Sequence, residues 1–302
     1  MNNDFAKGAA WIKGRVMPID QASIGVTDWA LTHSDVTYDV VPVWNHSFFR
    51  LDDYLERFEA SMASCHMDVG MGRAAITDAL HLMVATSGLP DAYVAMVAAR
   101  GVPMIPGSRD PRDCANHFYA WCVPYVHVIK PEVAKAGAHV LLSSAVHRIP
   151  ANSVNPRIKN YHWGDFTQGV FEAKSAGYET VILSDHHGNV TEGPGFNVFA
   201  LIGDTVVTPD DGVLHGITRR TVLELARKRG LTVQERALPV AELMDAQEVF
   251  LSSSGGGVIP VARVNERHFS NGAAGATALA LRAEYWALME DARYVTPVKL
   301  PN

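Results

Sequence analysis

The chain has 302 residues, of which 48% are hydrophobic, enough to form a well-buried core in one large domain or two smaller ones. Its net charge is −6 and its lysines and arginines are dispersed, which excludes the basic surface typical of nucleic-acid-binding proteins and favours a small-molecule function. The widely spaced Cys65, Cys114 and Cys122 form no CxxC pair, so the pattern excludes a disulfide framework and a thiolate zinc site.

The first third of the chain alternates β-rich runs with amphipathic helical patterns, which predicts an α+β unit. The predicted strands are residues 10–16, 40–49 and 93–99, the predicted helices are 51–63 and 73–86, and a further β-rich run covers 118–129. The polar stretch 130–137, which includes Pro131 and Gly137, is a candidate linker. We therefore expect a small amino-terminal domain at 1–128, a linker at 129–138 and a larger domain at 139–302.

The second domain is predicted to contain further short strands and two helices. The strands are 140–144, 180–184, 198–202, 206–208 and 249–251, with turn residues His187, Gly188 and Asn189 between two of them. A helix at 218–229 stops at Gly230, and a late helix covers 273–291. The amino terminus lacks the apolar core of a signal peptide and no apolar run reaches membrane-spanning length, so we expect a cytoplasmic protein.

Lys159 lies among apolar and aromatic neighbours in the segment NPRIKNYHW at 155–163. Partly buried surroundings favour the neutral amine that imine chemistry requires, although most lysines are solvated surface charges. In the segment TEGPGFN at 191–197, the Glu192 carboxylate stands beside a glycine-rich turn that suits close approach of a flat ligand, or it is a solvent-exposed turn residue.

Two other segments have the features of a phosphate site. Residues 214–220 lead into the helix at 218–229, so the amides of Ile217 and Thr218 lie at a helix amino terminus that stabilises anions, or Thr218 is an ordinary cap. The run SSSGGG at 252–257, which includes Ser254, follows a strand. Its hydroxyls and amides suit a phosphate group, or it is simply a flexible turn. Arg57 would by default be the polar edge of a helix.

These segments, in this order, resemble the fold-type IV pyridoxal-phosphate (PLP) enzymes over nearly the whole chain. That family contains branched-chain and D-amino-acid aminotransferases, aminodeoxychorismate lyases and (R)-selective amine transaminases. The similarity is closest to the (R)-selective amine transaminases, through HSDVTYDV at 33–40, FFRLDD at 48–53, IKNYHWGD at 158–165, TEGPGFN at 191–197 and HGITR at 215–219.

The resemblance implies that Lys159 carries PLP as a Schiff base and shuttles a proton, and that Glu192 keeps the pyridine nitrogen protonated. It also implies that Arg57, the amides of Ile217 and Thr218, and the hydroxyl of Ser254 bind the phosphate. It further implies two α+β and α/β domains with the cofactor between them, and a homodimer. The expected reaction is a ping-pong transfer of an amino group from a primary amine, (R)-configured in this subgroup, to a 2-oxo acid such as pyruvate.

The substrate pocket matches the amine transaminases only in part. His33, Tyr38 and Val40 match their pocket, and Tyr93, Ala95 and Trp163 are the other residues expected to line it. Ala95 stands where those enzymes usually have a glutamate, and residues 105–107 replace a loop that usually supplies a carboxylate-binding arginine. Arg157, Arg109 or a backbone site are the candidates that could replace the missing arginine.

Other functions remain open alternatives. A branched-chain or other amino-acid aminotransferase is the main one, followed by a D-amino-acid aminotransferase and aminodeoxychorismate lyase. A non-catalytic PLP-binding protein would not require both Lys159 and Glu192. A metal hydrolase is disfavoured because the 13 histidines include no HxxxH or HExxH pattern, so we expect no metal ligand set.

Overall fold

The computed structural model describes residues 4–299, and these residues fold into two compact units. The first contains the residues up to Val126, the short segment Ile158–Tyr161 and the residues from Met289 onward. The second contains His127–Arg157 and His162–Leu288. These bounds differ from the predicted division at 129–138, and residues 1–3 and 300–302, which the predicted domains include, lie outside the described residues.

The first unit is built on a mostly antiparallel sheet whose described strands lie in the order β16-β4-β3-β5-β6-β1-β2. Their bounds are β1 Ala9–Ile12, β2 Arg15–Pro18, β3 Val36–Trp44, β4 Ser47–Phe49, β5 Ala92–Ala99, β6 His117–Pro124 and β16 Val295–Pro297. The central strands β3, β5 and β6 are almost continuously buried or half-buried. One face of this sheet therefore supports helices, and the other is available for a site.

Two predicted strands are in fact hairpins. Residues 10–16 form β1 and β2, because Lys13 and Gly14 both have positive φ angles (51° and 81°) that reverse the chain. Residues 40–49 likewise form β3 and β4, with Asn45 and His46 at φ angles of 46° and 56° in the turn. Short runs of β-favouring residues did not reveal these reversals because the left-handed turn residues are lysine, asparagine and histidine as well as glycine.

Among the described residues, the α-helices of the first unit are α1 Trp29–Thr32, α2 Leu51–Ser64 and α3 Arg73–Ser87. The two long ones start where the periodicity predicts and end one residue later. Helix α2 buries Tyr54, Leu55 and Phe58, and the Phe58 ring contacts Phe118 of β6 with 6.2 Å between ring centroids. Helix α3 ends at Gly88, which has a left-handed φ of 69°. The buried face of α2, which carries Tyr54, Leu55 and Phe58, fixes this helix against the sheet.

The second unit contains a larger mixed sheet with the order β12-β11-β10-β13-β14-β7-β8, to which β9 and β15 add short pairings. Its strands are β7 Ala138–His147, β8 Thr180–Ser184, β9 Glu192–Gly193, β10 Phe196–Ile202, β11 Thr205–Thr208, β12 Thr232–Glu235, β13 Glu248–Ser253, β14 Gly257–Val264 and β15 Arg267–His268. Strands β7 and β8 run parallel, as do β11 and β12, whereas β10, β13 and β14 are antiparallel neighbours.

The helices of the second unit are α4 Pro131–Ala136, α5 Gly164–Ser175, α6 Ile217–Lys228, α7 Val240–Asp245 and α8 Ala276–Leu288. Helix α4 occupies the segment predicted as a linker. Pro131 starts this helix and Ala134 is buried in the same core as Val140 and Val261. The segment is therefore part of the second unit.

No helix among residues 4–299 has both the length and the apolar character needed to cross a membrane.

Candidate active site

Lys159 is held in the first unit by strand β3. Its carbonyl oxygen accepts hydrogen bonds from the Tyr38 amide at 3.1 Å and from the Thr37 hydroxyl at 2.8 Å. Its half-buried side chain places Nζ 4.6 Å from the centroid of the Tyr38 ring. The predicted catalytic lysine is therefore fixed at both backbone and side chain against the predicted pocket residue Tyr38.

The predicted pocket residues of β3 and β5 share one face of the sheet. Tyr38 pairs with Val97 and Val40 pairs with Ala95, so alternation along the strands puts these side chains together with Tyr93. Tyr38, Val40 and Ala95 are buried in one apolar cluster, with Tyr93 packed against it. Burial raises the pKa of Tyr93 to about 12, so its phenol is protonated at neutral pH.

Sequence reasoning missed three aromatic residues on this face: Tyr119, Trp121 and Tyr161. Tyr119 and Trp121 project from β6 into the same cluster. Tyr161 stacks on Tyr38 with 4.1 Å between ring centroids, and Trp121 stacks with Tyr93 at 5.8 Å. The pairing of β5 with β6 brings Tyr119 and Trp121 into place, and only this register, which the sequence does not reveal, assigns them to the face.

Arg57 reaches the same sheet from α2, but Asp39 takes up one edge of its guanidinium. The Nε and one Nη donate to the Asp39 carboxylate at 2.8 Å and 2.6 Å. Burial lowers the pKa of Arg57, yet the charge and hydrogen bond of Asp39 outweigh burial and raise this pKa above its ordinary value. Arg57 is thus a permanently charged and oriented donor whose charge Asp39 largely neutralises, a partner that the sequence did not indicate.

His33 lies apart from this cluster. It is exposed at the carboxyl end of α1 and stacks on Trp29 with 4.4 Å between ring centroids. Its Nδ1 lies 2.8 Å from the Thr32 hydroxyl. Arg109 and Arg157 are exposed as well.

In the second unit, Glu192 is buried and held by three hydrogen bonds. Its Oε1 accepts from Nε and one Nη of Arg148 at 3.3 Å and 3.2 Å, and its Oε2 accepts from the Leu214 amide at 2.9 Å. The other Nη of Arg148 donates to Asp165 at 2.6 Å. Arg148 and the Leu214 amide are both donors, so the arrangement suits a carboxylate, which only accepts.

The turn after Glu192 has no room for larger residues. A Cβ atom on Gly193 would lie 2.1 Å from the Phe196 ring and 2.4 Å from the Val181 carbonyl oxygen, so only glycine fits there. Trp163, predicted to line the substrate pocket, belongs to the second unit. Its ring contacts Phe166, and the Arg148 guanidinium lies 4.1 Å from the centroid of the Phe166 ring.

Asn197 connects the predicted phosphate-binding segments. It pairs with Ser252 across β10 and β13, and its Nδ2 donates to the Leu214 carbonyl at 2.8 Å. Gly216 precedes α6, and a Cβ on it would lie 2.4 Å from Asn197 Oδ1. The three segments at 191–197, 214–220 and 252–257 therefore meet at the amino terminus of α6.

Two buried hydroxyls at this place have no hydrogen-bond partner among the described residues: Thr218 Oγ1 and Ser252 Oγ. Gly216 provides no side-chain cap for α6. Unpaired donors at the amino terminus of a helix are the features expected of an anion site. Ser254 is half-buried in the turn after β13, where the neighbouring Ser253 hydroxyl donates to the Gly195 carbonyl at 2.8 Å. These residues fit a phosphate group.

Within residues 4–299, no group of three or more histidine, cysteine, aspartate or glutamate side chains is arranged to hold a metal ion.

Comparison with known proteins agrees with this chemistry. The family model for amino-transferase class IV matches residues 37–264. A putative branched-chain-amino-acid aminotransferase of Methanocaldococcus jannaschii is 26% identical over 264 residues, which cover 86% of this chain and 89% of the relative. The D-alanine aminotransferase of Bacillus licheniformis is 27% identical over 271 residues, covering 87% and 90%.

A solved structure gives the same result for the fold. The branched-chain amino acid aminotransferase of Thermobaculum terrenum, in its PLP form, superposes with a TM-score of 0.85 at 26% identity and covers 97% of this chain and 99% of that one.

Proposed function

Because the chain belongs to the class IV aminotransferases, we propose that it transfers the amino group of donors with an apolar side group to a 2-oxo acid, branched-chain amino acids being the first candidates. It has the fold of the fold-type IV enzymes and is a PLP-dependent aminotransferase. The observation that carries the choice of donor is the apolar and aromatic sheet face beside Lys159, with Tyr38, Val40 and Ala95 at its centre. The relatives named as branched-chain aminotransferases support it.

A primary amine, (R)-configured, is the second candidate donor. The observation in its favour is the pairing of Val40 with Ala95 in one buried apolar cluster, where neither residue brings a charged side chain. A donor without a carboxylate loses little in such surroundings, because apolar walls offer no partner for a charge.

Lys159 is the residue that bonds to the cofactor and moves the proton. When bound, PLP supplies an electron sink for the bond broken at the donor Cα. The Nζ of Lys159 takes the proton from that Cα, and the hydrogen bonds from Thr37 and Tyr38 to its carbonyl fix the side chain's starting point. Misplacement of this amine would reduce the rate because proton transfer requires hydrogen-bond distance.

Glu192 is the residue that would hold a proton on the pyridine nitrogen of the bound cofactor. Arg148 keeps Glu192 in its ionised form, and Leu214 fixes the orientation of its carboxylate. The ionised carboxylate is what stabilises a pyridinium, since it offers an acceptor of opposite charge. Arg148 is therefore a positioning residue for this step.

The phosphate is bound by the amino terminus of α6 and the hydroxyls around it. The amides of Ile217 and Thr218 and the unpaired hydroxyl of Thr218 provide donors in the second unit, as does Ser254. The family resemblance also assigns Arg57 to the phosphate; in the first unit, Asp39 fixes the orientation of its guanidinium. This division of roles predicts that loss of Thr218 weakens cofactor binding.

The experiment that tests the function is a half-reaction monitored by the visible absorbance of the cofactor-loaded protein. The protein is mixed separately with L-leucine, D-alanine, and (R)- and (S)-1-phenylethylamine, and then with pyruvate or 2-oxoglutarate. Bleaching by L-leucine and recovery with a 2-oxo acid supports the amino-acid donor. Bleaching by the (R)-amine but not by L-leucine assigns the second candidate, and no bleaching by any donor contradicts both.

We also propose that the protein works as a homodimer, as its resemblance to the fold-type IV enzymes implies. Light scattering coupled to size-exclusion chromatography gives the mass directly. A mass equal to one chain of 32.8 kDa would contradict the proposal.

A further inference from the structure

The loop between β13 and β14 carries Ser254, which is proposed above to bind the cofactor phosphate. The two strands pair as far as Ser253 and Gly257, so residues 254–256 form the loop of a tight hairpin. Glycines occupy the three positions after Ser254, and Gly256 and Gly257 have positive φ angles of 141° and 67°. Because glycine restricts the backbone least of all residues, contacts from outside must fix the shape of this loop.

Helix α8 supplies such a contact through Arg282, which is half-buried. One of its Nη atoms donates to the carbonyl oxygen of Gly256 at 2.9 Å and to that of Val258 at 2.5 Å. Its guanidinium also lies 5.7 Å from the centroid of the Trp286 ring, one helical turn further along α8. A single charged nitrogen therefore ties the loop to the start of β14, and the Trp286 ring helps to orient it.

Close packing brings α8 within reach of the loop. A Cβ atom on Gly257 would lie 2.6 Å from the Tyr285 ring, so only glycine fits between the hairpin and the helix. Tyr285 is fully buried and stands three residues after Arg282, so both side chains lie on the same side of α8. The packing of Tyr285 therefore sets the distance at which Arg282 meets the loop.

The carbonyl oxygens of the loop are turned toward donors outside it. The Val128 amide donates to the Gly255 carbonyl at 2.8 Å, and Arg282 donates to the Gly256 carbonyl. In a trans peptide the C=O and N–H point in opposite directions, so the Gly256 amide points away from Val128 and the Gly257 amide points away from Arg282. A carbonyl oxygen repels an anion, and these contacts keep both oxygens from turning toward one.

The same hairpin borders the anion site at the amino terminus of α6. Ser252 of β13 has a buried hydroxyl without a hydrogen-bond partner among residues 4–299, and it pairs with Asn197 of β10. A Cβ atom on Gly216, directly before α6, would lie 2.4 Å from Asn197 Oδ1. Ser254 follows Ser252 by two residues, so its approach to this site depends on the loop that Arg282 holds.

We propose that Arg282 is a positioning residue for the cofactor phosphate: it holds the loop at 254–256 in the shape that presents Ser254 to the anion. The proposal rests on the aminotransferase function proposed above and adds a residue to its cofactor site. Arg282 acts through the two carbonyl oxygens that it binds and not as a direct ligand of the phosphate. Its loss should therefore weaken binding of the phosphate group and leave the contacts of the pyridine ring in place.

The test compares the binding of PLP and of pyridoxal, which lacks the phosphate, to the cofactor-free protein. Absorbance titration gives both dissociation constants without turnover. Arg282→Met removes both hydrogen bonds, so we expect PLP to bind about tenfold more weakly or worse, with little change for pyridoxal. Arg282→Lys keeps a charged nitrogen donor and should recover part of the loss.

Arg229→Met is the matched control. Arg229 also contacts α8, where it donates to Glu284 at 2.6 Å, but both side chains of this pair are more than one-third exposed, at 38% and 34%. The control should leave both dissociation constants unchanged, because a surface ion pair has no contact with the loop.

The phosphorus NMR signal of bound PLP gives a second readout. A changed phosphate environment shifts this signal in Arg282→Met, whereas a general loss of stability does not. Circular dichroism of the cofactor-free variants checks that they are folded. If Arg282→Met fails to fold, Trp286→Leu takes its place; it removes the ring beside the guanidinium and should change PLP affinity in the same direction by a smaller factor.

Equal losses of PLP and pyridoxal affinity, or no loss in Arg282→Met, would overturn the assignment. If no donor reacts but Arg282→Met loses affinity for PLP alone, the proposed function fails and the assignment of Arg282 stands. If donors react while Arg282→Met keeps the dissociation constants and the phosphorus signal of the wild type, the assignment is wrong and the function stands.

Discussion

Replacement of Arg148 by methionine removes the cation that two buried carboxylates share. The guanidinium donates to Asp165 at 2.6 Å and to Glu192 at 3.2 Å and 3.3 Å, and its side chain is only 7% exposed. Methionine keeps most of the volume but removes the positive charge that Arg148 brings to both carboxylates. We therefore expect the free energy of unfolding to fall by about 3–5 kcal/mol, which corresponds to a fall in the thermal midpoint of roughly 5–20 °C.

The same change should also reduce activity at temperatures where the variant is folded. Without Arg148, Glu192 takes up a proton more readily and no longer stabilises a protonated pyridine nitrogen. The amide of Leu214 still donates to it, so its position is partly retained. We expect kcat to fall by about tenfold or more, equivalent to about 1.4 kcal/mol of transition-state stabilisation.

Circular dichroism gives the thermal midpoint, and a coupled assay gives kcat on the same preparation. Arg73→Met is the matched control, because Arg73 pairs with Glu59 on the surface, where the two side chains are 45% and 36% exposed. That pair should contribute less than about 1 kcal/mol. Asp165→Asn in the Arg148→Met background should recover part of the lost stability. Equal losses in the Arg148 and Arg73 variants, or no recovery, would refute the argument.

Three further predictions concern single residues. Lys159→Ala should keep the circular dichroism spectrum but abolish turnover and the visible absorbance of bound cofactor; residual turnover would contradict its role. Thr218→Val should leave the cofactor-free protein as stable or more stable, because the buried hydroxyl has no partner, yet weaken cofactor binding by roughly tenfold, as titration would show. Burial, reinforced by the charge of Asp28, raises the pKa of Tyr119 from 10.0 to about 12. The folded state therefore favours the protonated phenol, and this contribution to stability is complete below pH 10 and is lost as the pH rises through 12. Urea unfolding should show that Tyr119→Phe loses less stability than the wild type over this range, the difference being up to about 3 kcal/mol; equal losses would contradict the assignment.

The long helices were predictable because their periodicity is local. The apolar spacing at 51–63 and 73–86 gave the first residue of α2 and of α3 correctly. Gly230 follows α6 closely, as expected of a helix stop, and α6 starts one residue before the predicted 218. The late helix is shorter than the predicted 273–291, because α8 is confined to Ala276–Leu288.

The hairpins and the linker were not predictable from local composition. A reversal at Lys13 requires a positive φ angle that lysine rarely adopts, so the run at 10–16 resembled one strand. The polar segment at 130–137 resembled a linker because only Ala134 of α4 is buried. Its docking depends on strands far away in the sequence.

The residues that bind the predicted site residues were also not predictable from local sequence. Lys159, Glu192 and Thr218 stand in segments whose glycine, proline and aromatic pattern is unusual by itself, so they could be selected from the sequence. Arg148 was missed because it stands 44 residues before Glu192 in an unremarkable run, and only the fold of the second unit brings them together. Asp39 was missed for the same reason, since it pairs with Arg57 18 residues later and on a different element.

Strand alternation shows what additional information would have been enough to place the residues of the sheet face beside Lys159. Once Tyr38 is placed on the face beside Lys159, the period of two assigns Val40 to the same face, and the antiparallel pairing with β5 adds Ala95. Neither step depends on side-chain detail, but the next one requires the register of β6, which places Tyr119 and Trp121. Register is a property of the sheet and not of one strand, because a shift of one residue moves every side chain to the opposite face. Tyr119 and Trp121 are therefore the residues of this face that the sequence alone could not place.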